Sequence, residues 1–129
     1  MEFRIVDSYP NRPEIVIKDE NALRDFLREV STRGGVFLLI APDSRSLTIG
    51  ISKSYGFVEY VGEDDNPPYL IAVDSTQQSN DDSYIEFDSG GTATPVHASK
   101  CLPLEKVIEI AIYFFKNVNL PKFVEWHPI

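Results

Sequence analysis

The residues of this chain that could do chemistry are one cysteine, two histidines and a set of closely spaced carboxylates. His97 and Cys101 stand four apart, a spacing that would put both on one helical face, but Pro95 and Pro103 bracket them and oppose such a helix. His127 lies beside Pro128, far along the sequence. A structural zinc site wants four nitrogen or sulfur ligands, and two histidines with one cysteine do not supply them. A Cys101–His97 nucleophile pair, with Asp74 or Asp88 orienting the imidazole, has the residue types but no nucleophile motif around the cysteine. Cys101 therefore reads as a small apolar residue at the entrance to a helix. Gly90-Gly91 lacks the G-x-x-x-x-G-K-[ST] pattern of a phosphate loop, and Glu86 and Asp88 would repel a phosphate. The glycines are expected to supply positive φ and a close backbone approach where the last strand turns toward the helix. No catalytic residue, metal or cofactor is expected.

The carboxylates are more informative. The formal net charge is −8, and the segment from Glu63 to Ser99 holds eight acidic residues with no lysine or arginine. The rest of the chain is close to neutral. A concentrated negative field argues against nucleic-acid binding, whose affinity comes mainly from phosphate contacts. It suits a basic protein partner, or more blandly a solvated surface. Calcium would need an ordered ligand loop, and no EF-hand pattern is present. Two tyrosines interleave with the acids. Glu63, Asp64, Asp65, Tyr69, Asp81, Asp82, Tyr84, Glu86 and Asp88 form a candidate protein-binding set, in which charge steers the encounter and aromatic rings anchor it.

These residues need a scaffold. Ala22, Leu23, Phe26, Leu27 and Val30 make a helical stripe, opened by Asp19 as N-cap and stopped at Gly34-Gly35. A second stripe starts at Leu104 and continues through Val107, Ile108, Ala111, Phe115 and Val118. Pro103 suits its first turn, Asn117 or Asn119 a left-handed exit, and Pro121 forbids continuation. Strand patterns occupy Phe3–Val6, Glu14–Lys18, Val36–Ala41, Leu47–Ile51, Phe57–Val61, Tyr69–Val73 and Tyr84–Phe87. The continuous apolar run Val36–Ala41 is expected in the centre of a sheet, covered on both faces. Asp74 to Ser83 reads as a polar loop. The expectation is a single α+β domain over residues 1–129, an antiparallel sheet of five to six strands with two helices packed on one face. One cysteine, no apolar run of membrane length and no basic-then-apolar leader point to a cytoplasmic protein.

The order Gly90-Gly91, Cys101-Leu102, a helix ending in Phe114-Phe115, then Pro121 and Trp126 resembles immunity protein family 1 of bacterial polymorphic toxin systems. The likeness is sharp over roughly the last forty residues, while the N-terminal two thirds carries no matching motif. In the family these positions are structural, and here Trp126 is expected to pin the C-terminal tail onto the helix or sheet. The resemblance implies a protein without catalysis that binds a cognate toxin domain, often a nucleic-acid-directed toxin of deaminase or nuclease type. Such a toxin has a basic substrate groove that the acidic, tyrosine-containing face would occlude. The expected partner is that toxin protein, with no nucleic acid and no membrane, and the free protein is expected to be monomeric. The alternative is an acidic protein–protein binding module of unrelated role.

Overall fold

A computed structural model describes residues 2–74 and 82–129. Strand β1 (Phe3–Asp7) is followed by β2 (Ile15–Ile17), helix α1 (Glu20–Arg33), and the strands β3 (Gly35–Ile40), β4 (Ser46–Ser52), β5 (Tyr55–Val61) and β6 (Tyr69–Val73). After these come β7 (Tyr84–Ser89), β8 (Thr92–His97), the two-residue β9 (Leu102–Pro103), helix α2 (Leu104–Asn117) and β10 (Glu125–Pro128). The principal sheet runs β10-β6-β5-β4-β3-β1-β2, with β9 paired to β5, and every pairing is antiparallel. The fold is the expected α+β arrangement, but the sheet has eight strands rather than five or six. The additional strands are β9 and β10, short segments on either side of α2 whose pairing comes from where the chain enters and leaves that helix rather than from local alternation.

Both helices lie on one face, where alternation along each strand sends the larger apolar residues. Phe3, Ile5, Phe37, Leu39, Leu47, Ile49, Ile51, Val58 and Ala72 meet Leu23, Leu27 and Val30 of α1 and Val107, Ile108, Ala111 and Phe114 of α2 in one dry cluster. The Asp19 carboxylate accepts the Ala22 amide at 2.8 Å to start α1, and Gly34 at φ 75° ends it. Pro103 sits one position earlier than expected, as the N-cap of α2. The left-handed exit of α2 falls on Val118, at φ 48°, rather than on a neighbouring asparagine. Arg45, from the β3–β4 turn, donates to the Val118 carbonyl, and the Val118 side chain packs against the core. Tertiary contacts thereby hold a β-branched residue where it would not settle by itself.

The opposite face is covered at one end by β7 and β8, which form a separate two-stranded hairpin. Gly90 and Gly91 form its tip at φ 61° and 93°. Both expected glycine features are present, but the chain turns there into β8 and not toward α2. The inward residues Ile85, Phe87 and Val96 pack with Val36, Phe57 and Cys101. Phe57 meets Phe87 edge to face at 4.9 Å, and its ring lies over Gly50, where a Cβ would come within 2.0 Å of it. Central strand β3 is thus covered on both faces, by helices against Phe37 and by the hairpin against Val36.

Candidate functional site

The acidic residues are placed by two connections at opposite ends of the same sheet face. Phe57, Gly50 and Val36 form the cross-strand row beneath the hairpin. The 3-10 turn Glu63–Asp65 follows the other end of β5, past Val61. Four residues of strand separate Phe57 from Val61, roughly 13 Å. The sequence therefore brings its candidate residues together as two groups and not as one.

In the first group, Glu63, Asp64 and Asp65 are all exposed. Asp64 and Asp65 take positive φ, and the Asp64 amide donates to Ser44 Oγ at 3.0 Å. The Tyr69 hydroxyl donates to the Asp65 carbonyl at 2.5 Å, so the hydroxyl braces the turn while the ring stays 44 % exposed.

In the second group, alternation along β7 turns Tyr84, Glu86 and Asp88 to solvent while Ile85 and Phe87 face the sheet. Tyr84 is 62 % exposed and meets His97 edge to face at 5.2 Å. Asp82 approaches His97 Nε2 at 3.5 Å. Asp81 lies outside the described residues. Asp88 is engaged at both oxygens, accepting the Tyr9 hydroxyl and the Gly91 amide at 2.8 Å. The Tyr9–Asp88 hydrogen bond is the main reason the Tyr9 phenol titrates above its ordinary value. The Gly90 amide donates to Ser8 Oγ at 2.9 Å. The β1–β2 loop thus clasps the hairpin tip, and an open groove of 420 Å³ runs along Tyr9, Glu86, Asp88 and Ala93.

Between the two groups the sheet face is half-open among the described residues, with Ile71 and Ser46 buried in it. One cross-strand row runs Ile71, Glu59, Thr48, Leu38, Val6, and the next runs Tyr69, Val61, Ser46, Ile40, Arg4. Glu59, Thr48, Leu38 and Val6 are half-buried. Burial holds the Glu59 carboxyl above the usual carboxylate range, and the nearby Lys100 charge only partly offsets this. Sequence reasoning missed Glu59, because an alternating strand gives no sign of how much of its outer face a distant hairpin will cover.

His97 and Cys101 do not make a nucleophilic pair. The His97 Nδ1 takes the Ser99 amide at 3.1 Å and lies 2.7 Å from Ser99 Oγ, whereas the Cys101 thiol points to the carbonyls of Val96 and His97. Burial pushes the Cys101 thiol up to about 11, so it stays protonated near neutral pH. Among the described residues, no three His, Cys, Asp or Glu side chains converge to hold a metal. No helix there is long and apolar enough to cross a membrane.

The remaining motif residues lie in the scaffold. Phe114 and Phe115 surround Phe3 at 5.7 and 5.0 Å. Trp126, in β10 opposite Ala72, donates its indole N–H to the Pro121 carbonyl at 3.1 Å. A family model described as immunity protein Imm1 matches residues 12–128. No curated protein matches the chain.

Proposed function

The chain belongs to the Imm1 family of immunity proteins, and from that premise we propose that it neutralises a cognate toxin domain by covering a basic active-site groove. The toxin class that suits such a mechanism is nucleic-acid-directed, a deaminase or a nuclease, because its substrate groove must attract phosphate. The observation that carries this reading is the placement of Glu63, Asp64, Asp65 and Tyr69 at one end of a sheet face and Asp82, Tyr84, Glu86 and Asp88 at the other, with both tyrosine rings exposed. Carboxylates at two separated points favour a broad, positively charged partner over a small cation. Picomolar inhibition corresponds to about −16 kcal/mol, more than rim charges supply, so the exposed rings and the sheet between them provide the desolvated centre. The site of action is the cytoplasm of the cell the toxin enters, and the inhibitor works as a monomer bound one to one.

The test is a growth assay in which the toxin domain encoded beside this gene is expressed with and without this protein. Rescue together with a tight one-to-one complex supports inhibition. Replacing Asp64, Asp65 and Asp82 by Asn is expected to slow association and flatten its salt dependence while changing dissociation little. Unchanged association would sink the acidic-face mechanism. A complex without rescue would instead favour a binding module of unrelated role.

A further inference from the structure

We infer that the open row of the sheet face is a seat for one basic side chain of the toxin partner, with the Glu59 carboxylate as its counter-charge. This rests on the immunity reading. Glu59 stands in the middle of β5, between Thr48 and Ile71 in the cross-strand row, with Leu38 and Val6 continuing the row. Among the described residues its carboxylate meets no hydrogen-bond donor, and Lys100 is the one positive charge that acts on it. A half-buried carboxylate without a donor costs stability in the free protein, and among the described residues the Lys100 charge offsets that cost only in part. Beside the hairpin edge lies a 270 Å³ groove lined by Val6, Asp7, Leu38, Thr48 and Ser89, which ends at Thr48, the cross-strand neighbour of Glu59.

The chemistry of the row selects its occupant. A lysine or arginine lays an aliphatic stem along Leu38 and Thr48 and carries its charge to Glu59, which matches the apolar-then-anionic order of the row. The field of the surrounding carboxylates favours the same sign. A second copy of this chain would bring another strongly acidic face and is disfavoured by charge. The other basic group on this face, Arg4, is already paired with Glu14 at 2.6 Å.

Glu59→Gln keeps the shape and removes the charge. Against the toxin domain encoded beside the gene, this variant is expected to loosen the complex about 30-fold or more, chiefly through faster dissociation. Glu109→Gln, exposed on α2 across the sheet, should change affinity less than about threefold. The Gln variant should also melt higher than the parent in the absence of partner, a result that a purely structural carboxylate would reverse. A second arm titrates the free protein with acetyl-Gly-Arg-Gly-amide, using the Glu tripeptide as control and amide NMR shifts as readout. Shifts confined to the strands around Leu38, Thr48 and Glu59, and abolished by Glu59→Gln, are the expected result. Shifts restricted to residues 63–65 or 84–88, or shifts unchanged in the variant, would overturn the assignment. A wild-type protein that forms no toxin complex would contradict the immunity reading for that pair, and the peptide arm would still decide the Glu59 seat.

Discussion

The two faces of the principal sheet are built differently. The helix face is continuous, with β1, β3, β4 and β5 each contributing at least two buried residues to a cluster that includes both helices. The hairpin face has a small cluster of Val36, Phe57 and Phe87 at one end, buried Ile71 and Val73 on β6, a half-open row containing a carboxylate in the middle, and acidic turns at its margins. The same strands make both faces, so the difference comes from what alternate residues were selected to do. The face that is filled stabilises the fold. The face that is half-filled keeps surface available, including a carboxylate that a stability-only design would have removed.

The largest effect that would break this comparison lies on the helix face. Phe114→Ala removes a ring packed on Phe3 and Tyr60 and is expected to cost about 3–5 kcal/mol in chemical denaturation. Phe87→Ala acts on the smaller cluster and should cost about 3 kcal/mol or less, because the hairpin can settle onto the space left behind. Hydrogen exchange separates the two. Phe87→Ala should speed exchange in β7 and β8 while α2 stays protected, and uniform loss across both faces would mean that the hairpin is not a separate layer.

Smaller again is the hairpin tip. Gly90→Ala adds a Cβ 2.9 Å from the Ser8 carbonyl and also forces a left-handed φ, whereas Gly91→Ala meets only the second difficulty. Gly91→Ala should therefore cost about 1 kcal/mol and Gly90→Ala clearly more. Equal costs would mean that the β1–β2 loop does not clasp the tip.

The smallest effect has the opposite sign. Glu59 titrates above its unfolded value, so between the two values the folded chain binds more protons than the unfolded chain. Stability from this group falls as pH rises through that window and is then level. Glu59→Gln should remove the slope and raise the melting temperature at neutral pH, as thermal scans across mildly acidic pH would show.

Much of the helix face was legible in the sequence, because the information there is local. The stripes of α1 and α2 and the alternation of Leu47, Ile49 and Ile51 each reveal their buried side by period alone. The hairpin face was legible only in part. β8 contains Thr92, Ala93, Thr94 and Pro95, a weak strand pattern with a residue that cannot donate to a ladder, and its pairing depends on β7. Trp126 was expected to pin the tail, but nothing local announced that Glu125–Pro128 would add an edge strand to β6. The acidic segment was plain as charge, yet its division into two groups follows from where β5 ends and where the hairpin lies. Glu59 was invisible for the same reason.

The central claim is that recognition uses the hairpin face and stability uses the helix face. Methyl cross-saturation in a complex with the toxin domain encoded beside the gene tests it most directly. The methyls of Val6, Leu38 and Val61 are expected to lose intensity while those of Leu104, Ile112 and Val118, on and just beyond α2, keep theirs. Attenuation confined to the α2 methyls, with the open row untouched, would contradict the account.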